Sequence, residues 1–422
     1  MNVHAIYHFV LNLSLFLFLP LMLVGKDFAK GYEYWIVLIG LPAILYFNLR
    51  GKLFSDIEEK YLYFVFFFYF LILLGWFNQM PELTRFPSTL ETYSKTVLLP
   101  VLLLPMLYLI NLKTLSFLAW SAGVGTIVGI SIAIYGVVHG FPRSGGELIH
   151  GSPIIFGNLA MLFGVLSFVF SAYYYRTKWF GIFILFGIFG IVTSVLSGTR
   201  GGWIVFFTLP IFLAFQLPPR YRWRVLGVFS LLIITLFAIL VLSDSVVKTR
   251  IIQAYREIGY IFSENGFTGG SIGSRFEFWR VSWLAFLEAP LMGIGVGEFY
   301  AFKHDLNQTG GLAKHLVPFN HSHNEYLTIL STMGLVGFLV YSFFYIWLWK
   351  IFSRAIRSRA DEIKLIGVLG IVTLVCYLDF GLSESFISTD LGGGTFYFLI
   401  TLLLYYLNKF QLMESNKSIQ ND

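Results

Sequence analysis

The chain is dominated by long apolar segments, and short polar stretches separate them. A membrane-spanning helix needs about 20 predominantly apolar residues. Only 12% of the residues are charged and 57% are hydrophobic, whereas soluble domains contain about 25% charged residues. The pattern predicts an all-α integral membrane protein of twelve spans. The predicted spans are residues 4–24, 33–48, 60–77, 95–110, 115–139, 153–174, 179–197, 203–217, 225–243, 325–349, 364–380 and 394–408.

The same composition excludes several classes of protein. So little charge cannot keep this much apolar surface in water, which excludes an ordinary soluble enzyme, a disordered chain and a nucleic-acid-binding protein. The net charge of +6 indicates no nucleic-acid partner, because the basic residues lie mostly in loops beside the predicted spans. The single cysteine, Cys376, lies in an apolar segment. The chain therefore has no internal disulfide and no cysteine metal site.

Lys and Arg are distributed unevenly between alternate loops. They concentrate on the side of the N-terminus, which the positive-inside rule places in the cytoplasm. The N-terminal segment lacks the features of a cleaved signal peptide. Because twelve spans return the chain to the side where it began, both termini are predicted to be cytoplasmic. The predicted organisation is spans one to nine within 1–243, an external loop domain at 244–322, spans ten to twelve within 323–410, and a cytoplasmic tail at 411–422.

The external loop from Asp244 to Ser322 is unusually long, and loops of this length are usually functional or small domains. Residues 246–262 carry apolar side chains at helical spacing, which predicts an amphipathic helix on the membrane surface or over the bundle. A second helix is predicted to begin at Ser274, with a capping box at 274–277. The glycine-rich residues 293–297 lack the context of a dinucleotide site and are predicted to form a tight connection.

Three external arginines are candidates for binding an anion. Arg275 would lie in a first helical turn, where a bound anion favours it, although Glu277 alone also explains the position. Arg200 lies in the glycine-rich turn 197–202, where its forked donors suit a phosphate. The alternative is an arginine that reaches lipid headgroups. Arg143 lies in a similar Gly/Pro loop, and its alternative is an ordinary surface charge.

The polar stretch that opens the tenth span is a candidate for catalysis. His321, His323, Asn324 and Glu325 are costly to place at a membrane boundary without a purpose. Histidine is the natural general base near neutral pH. The alternative is a helix cap at Asn324 or Ser322 with histidines facing headgroups. No cysteine or acidic cluster completes a metal site, so no metal is predicted.

The predicted spans are almost free of ionisable residues, and Asp379 lies at a span end. Proton-coupled transporters normally carry ionisable residues inside the bundle. Their scarcity counts against transport and favours an enzyme whose polar chemistry lies at one external face.

The sequence resembles the O-antigen ligase and polymerase superfamily of Gram-negative inner membranes. His323-Asn324, nine residues and then Gly334-x-x-Gly337 match its His-Asn-x9-Gly-x-x-Gly pattern. Ser274-Arg275 with Trp279 matches its Ser-Arg-x-x-x-Trp element, and the turn 197–202 matches its arginine-bearing external turn. Twelve spans with a long periplasmic loop between the ninth and tenth match its layout.

The resemblance implies an O-antigen ligase of lipopolysaccharide synthesis, in the bacterial inner membrane with its active site on the periplasmic face. This glycosyltransferase would need no metal or other cofactor. Its partners would be membrane lipids, an undecaprenyl-diphosphate-linked glycan donor and a lipid A–core acceptor. The implied catalytic residues are His323 as general base with Arg200 and Arg275. The implied substrate-binding residues are Arg143, Arg200, Arg275, His321 and Asn324.

Three other functions remain open at this point. One is a non-catalytic membrane scaffold whose long loop binds a partner, although it leaves the Arg and His pattern unexplained. A polymerase of the same superfamily would use the same motifs with a second lipid-linked glycan as acceptor. A polysaccharide or lipid transporter would predict charged residues at the membrane midplane or broken helices in paired halves.

Overall fold

The computed structural model describes residues 3–49, 54–77, 86–112, 114–146, 149–216, 270–319 and 321–421, with four isolated positions between 217 and 269. Helices make up the regular structure of these residues, and no strand occurs among them. The helices before residue 217 are α1 (Val3–Met22), α2 (Lys26–Leu49), α3 (Asp56–Phe77), α4 (Phe86–Ile110), α5 (Ser116–Val138), α6 (Pro153–Tyr173), α7 (Phe180–Leu196) and α8 (Val205–Gln216). Those after residue 269 are α9 (Gly270–Glu288), α10 (Phe299–Gln308), α11 (Glu325–Ile356), α12 (Asp361–Gly381) and α13 (Asp390–Asn421). Short 3-10 helices cover Pro142–Gly145, Arg200–Ile204 and Lys314–Leu316.

Seven described helices, α1, α2, α5, α6, α11, α12 and α13, are long and apolar enough to cross a membrane. Shorter apolar helices cover Val97–Ile110, Phe180–Leu196 and Arg200–Phe212. Every predicted span except the ninth, 225–243, overlaps a described helix, and the ninth lies outside the described residues apart from the isolated positions Gly227 and Ser230. The described part of the chain is all-helical and the protein is a multi-pass membrane protein, while the total of twelve spans stays a prediction.

The bundle has a buried centre and an apolar outer surface. Most residues of α6, α12 and α13 are buried, whereas most of α1 and α2 face outward. The outward residues include exposed apolar side chains such as Phe9, Leu38 and Leu45. Large exposed apolar surfaces of this kind suit lipid rather than water.

Connections between the helices meet at the two ends of the bundle. At one end, the α1–α2, α5–α6, α7–α8 and α12–α13 connections lie beside the α9–α10 region, and we call this the loop-rich end. There the Lys26 N–H donates to the carbonyl of His150, and the Thr199 hydroxyl donates to the carbonyl of Pro153. At the other end, Tyr108 donates to Glu58 and Asn408 donates to Tyr108, and we call this the tyrosine end.

The segment between α8 and α11 departs from the prediction. The second helix of the predicted loop domain begins at Gly270, not at Ser274, so the predicted capping box is wrong. Arg275 consequently lies in the second helical turn, because five residues of α9 precede it. The predicted amphipathic helix at 246–262 lies outside the described residues apart from the isolated position Ile252. From 278 to 317, buried apolar residues form a small core of their own, separate from that of the bundle.

Candidate active site

The beginning of α11 presents the two histidines of the motif. Asn324 is the N-cap, and its side-chain oxygen accepts a hydrogen bond from the N–H of Leu327 at 3.0 Å. His323 immediately precedes this cap and has a positive φ of 51°. This left-handed conformation is uncommon outside glycine, and such positions cluster at functional sites. The turn therefore sets the direction of the His323 side chain before the helix starts.

Both histidines contact one buried carboxylate, that of Glu384. His323 Nδ1 lies 2.9 Å from Glu384 Oε2, and His321 Nδ1 lies 3.1 Å from Glu384 Oε1. The Glu384 side chain is 4% exposed, compared with 15% for His323 and 33% for His321. For His323, the carboxylate opposite Nδ1 fixes the tautomer with the proton on Nδ1 and leaves Nε2 as the basic atom.

Burial and charge pairing set the ionisation of this cluster. The pKa of His321 is lowered to about 4, because desolvation disfavours the imidazolium more than the Glu384 carboxylate favours it. Burial alone would raise the pKa of Glu384, but the hydrogen bond with His323 and the nearby histidine charges hold it below its ordinary value. Near neutral pH, Glu384 is therefore an anion beside a neutral His321.

The connection that carries Glu384 is clamped to the start of α11. Asn324 Nδ2 donates to the carbonyl of Leu382 at 3.2 Å, and Glu325 accepts the N–H of Ile387 at 2.8 Å. Hydroxyls form a third clamp, since Thr328 lies 2.6 Å from Ser322 and 2.7 Å from Ser385. These contacts hold the α12–α13 connection against the histidines.

The structure separates the roles of residues that the sequence grouped together. The prediction that Asn324 or Ser322 caps the span is confirmed for Asn324. Both ends of the Asn324 amide are engaged within the protein, so the structure favours a structural role over the predicted substrate contact. Glu325, the acidic residue of the polar stretch, binds the 387–388 backbone and not a histidine.

Sequence reasoning missed Glu384, the actual partner of His323. Glu384 is distant from the motif in the sequence but follows the eleventh predicted span, so the alternation of loops assigns it to the same face as His323. The premise that no acidic group completes a metal site is wrong. One ligand atom from each of His321, His323 and Glu384 lies within 4.8 Å of the others, and these residues could hold a divalent ion. That the protein uses no metal stays a prediction.

Two of the three arginines lie on connections next to this cluster. Arg143 Nε donates to the carbonyl of Ser197 at 3.0 Å, so its loop lies against the turn that carries Arg200. Gly201 in that turn approaches Ser383 so closely that a Cβ would overlap the Ser383 hydroxyl. The predicted short turn at 197–202 is confirmed, and it adjoins the segment that holds Glu384.

The helix α9, which carries Arg275, lies against the same region. Phe278, one turn further along α9, has its ring centroid 5.6 Å from that of His323. Phe319 lies 5.8 Å from His323 on another side. The structure therefore brings the elements that carry Arg143, Arg200, Arg275 and His323 to the loop-rich end.

Gly334 of the motif makes room for a neighbouring segment of backbone. At Gly334 the conformation is non-helical, with φ 64° and ψ −164°, and the helix is interrupted. The predicted tight connection at 293–297 begins here, and the N–H groups of Ile294 and Gly295 donate to the carbonyls of Ser331 and Thr332. A Cβ on Gly334 would overlap the backbone of Leu291. This close approach joins the α9–α10 connection to α11.

A cavity of about 580 Å³ opens beside the histidine pair. Its wall includes His321, hydroxyl side chains and the aromatic rings of Tyr93, Tyr300 and Phe319. The hydroxyl side chains belong to Ser152, Thr328, Thr332, Ser385, Ser388 and Thr389. Lys26, Lys30 and Asp390 add charge, and Lys30 pairs with Glu91 at 2.8 Å. Its size is typical of ligand sites, and hydroxyls with aromatic rings suit a polyhydroxylated ligand.

Residues 185–342 match the family model described as O-antigen ligase. The match confirms the resemblance drawn from the motifs, because it contains the Arg200 turn, the Arg275 helix and the His323 motif with both glycines. Arg143 and Glu384 lie outside it. An uncharacterized protein of Haemophilus influenzae is 29% identical over 406 residues, which are 92% of this chain and 96% of that protein. The similarity to that protein extends over nearly the whole membrane bundle.

Proposed function

We propose that the protein is an O-antigen ligase, a glycosyltransferase of lipopolysaccharide synthesis in the bacterial inner membrane. It moves a glycan from undecaprenyl diphosphate to a sugar hydroxyl of lipid A–core oligosaccharide on the periplasmic face. The observation that carries the proposal is the His323–Glu384 pair beside a hydroxyl-lined cavity. The family match and the multi-pass helical bundle support a lipid-linked glycan as substrate.

In this mechanism His323 is the general base. Glu384 holds the proton on Nδ1, so Nε2 accepts the proton of the acceptor hydroxyl as its oxygen attacks C1 of the donor glycan. The bond between C1 and the diphosphate oxygen breaks, and undecaprenyl diphosphate leaves with the bonding electrons. Direct attack of this kind inverts the configuration at C1.

The arginines stabilise the leaving group. Arg200 and Arg275, with Arg143, bind the diphosphate and neutralise the charge that develops on it, which is electrostatic catalysis by prepositioned donors. The acceptor sugar occupies the cavity next to His321, where hydroxyl and aromatic side chains bind it. His321 contacts this acceptor and shares Glu384 with His323.

The test is a transfer assay with purified protein, undecaprenyl-diphosphate glycan and lipid A–core. His323→Ala should lower kcat by about 10²–10⁴, the usual contribution of a general base. The matched control is His304→Ala, which removes an exposed histidine on α10. Near-normal transfer by the His323 variant would contradict the base assignment.

The acceptor decides between ligase and polymerase. A ligase forms product only when lipid A–core is present. Longer lipid-linked chains without that acceptor would identify a polymerase of the same superfamily. No product in either reaction, from folded protein and authentic substrates, would favour the transporter.

A further inference from the structure

A buried lysine, Lys303, lies behind the histidine pair in the small core of the 270–319 segment. Its side chain is 0% exposed, on α10, whose other polar side chains are mostly exposed. A buried ammonium is costly unless it is compensated by hydrogen bonds and charge interactions. None of the motifs that identify the candidate active site includes this residue.

The Lys303 ammonium binds the backbone that leads to the histidines. Nζ donates to the carbonyl of Leu316 at 3.2 Å and also to the carbonyl of Phe319. These carbonyls belong to the last turn before His321 and His323. The ammonium therefore closes the 316–319 segment onto α10.

Aromatic rings continue this contact to the imidazole of His323. Lys303 Nζ lies 5.3 Å from the ring centroid of Phe278 and 5.3 Å from that of Phe299, within the range of cation–π attraction. Phe278 and Phe319 lie 5.2 Å apart, and both flank the His323 ring. The Lys303 ammonium thus links α10 to the Phe278 ring of α9 and to the segment that precedes His323.

We infer that Lys303 is a positioning residue for His323, acting through the 316–319 carbonyls and the rings of Phe278 and Phe319. The inference rests on the proposed function, in which His323 is the general base. The ammonium fixes the approach of the chain on one side of His323, while the Asn324 cap and Glu384 fix the other. Loss of the Lys303 contacts shifts Nε2 of His323 relative to the acceptor hydroxyl.

The decisive variant is Lys303→Met, which keeps the unbranched side chain and removes the cation and its donors. Hydrogen exchange of the backbone amides at 316–324 should become faster. Since a misplacement of about 1 Å costs up to about 100-fold in rate, kcat should fall by about tenfold to 100-fold with little change in donor KM. Lys303→Arg keeps a cationic donor and should restore part of kcat.

The matched control is Val281→Ala, which loosens the same small core at a fully buried position without touching the 316–319 carbonyls. If Lys303 has only a structural role, Lys303→Met and Val281→Ala should lose the same amount of kcat when they lose the same amount of melting temperature. That result would overturn the inference. If Lys303→Met does not fold, Phe278→Leu removes the ring between the ammonium and His323, and it should also lower kcat.

Failure of the inference is distinguishable from failure of the proposed function. Unchanged exchange at 316–324, or unchanged kcat in Lys303→Met while His323→Ala is inactive, overturns the positioning role alone. Full activity of His323→Ala overturns the base assignment and with it the catalytic meaning of the Lys303 contact. Faster exchange together with lower kcat, absent from Val281→Ala, supports the inference.

Discussion

The two ends of the helix bundle each hold a buried carboxylate, and its partners differ between them. At the tyrosine end, Glu58 is 0% exposed and accepts from Ser55 at 2.8 Å and from the Tyr108 hydroxyl at 2.8 Å. At the loop-rich end, Glu384 contacts the rings of His321 and His323 instead. Serine and tyrosine hydroxyls are not proton acceptors near neutral pH, whereas an imidazole has a second ring nitrogen that can accept a proton.

The difference teaches how a carboxylate acquires a chemical role. Glu58 completes a capping box at the start of α3, with Ser55 as the N-cap, and ties that helix to α4. Its contacts hold helix ends together. Glu384 contacts titratable rings beside a large cavity, so its contacts set a tautomer. The surroundings of the two carboxylates predict a structural role for Glu58 and a catalytic one for the Glu384–His323 pair.

The largest effect on transfer, beyond loss of His323 itself, is expected from the arginines. Arg200→Gln and Arg275→Gln should each lower kcat/KM by about 10²–10³, the usual cost of losing a prepositioned electrostatic donor. A titration of donor against fixed acceptor measures the loss. The controls are Arg200→Lys and Arg275→Lys, which keep the charge without the planar fork and should lose less. A defect confined to the acceptor would contradict diphosphate binding.

The next largest loss of transfer activity is expected from Glu384→Gln, and this variant tests the difference between the two carboxylates. The amide cannot stabilise the imidazolium that forms during proton transfer, so kcat should fall by about 10²-fold. Glu58→Gln is the matched variant at the other end of the bundle. Equal losses of kcat in the two variants, at equal retention of fold, would refute the distinction between the ends.

Metal ions are expected to have a smaller and reversible effect on glycan transfer. The proposed mechanism needs no metal, so EDTA should leave transfer unchanged. Added Zn²⁺ should inhibit transfer, because two histidine nitrogens and a carboxylate oxygen are ligands that suit zinc. A bound ion would displace the proton from His323. Inhibition should weaken in His321→Ala assayed at the same zinc concentration. Loss of transfer in EDTA, restored by a divalent ion, would instead make the His321–His323–Glu384 group a functional metal site.

The smallest effect on transfer is expected from Glu58→Gln, and its effect on stability should be larger. Replacing a buried hydrogen-bonded carboxylate leaves Tyr108 and Ser55 with a weaker acceptor, which should lower the free energy of unfolding by about 1–3 kcal/mol. Thermal unfolding in detergent measures this change, with Asp56→Asn, exposed in the same helical turn, as control. Transfer well below the melting temperature should stay close to that of the unchanged protein.

Much of the bundle is predictable from the sequence because membrane spans impose long apolar runs. Every predicted span except the ninth overlaps a described helix, and seven described helices are long and apolar enough to cross a membrane. The same alternation of loops places Arg143, Arg200 and His323 at one end without any knowledge of helix packing. Short-range signals are less reliable, as the start of α9 shows. The capping-box pattern at Ser274 was present, but the helix continues N-terminally to Gly270.

The sequence by itself determined the membrane class, the face that carries the polar chemistry, and the motif residues at the start of α11. These features depend on composition and on residues close together in the chain. Only the tertiary structure assigned Glu384 to His323, Glu325 to the 387–388 backbone, and Lys303 to the carbonyls before the histidines. Each of these pairings joins residues between 13 and 63 positions apart, and which buried carboxylate meets which partner depends on how helices pack. Periodicity specifies which face of a helix is apolar, but not which distant polar group the packing of that face brings into contact.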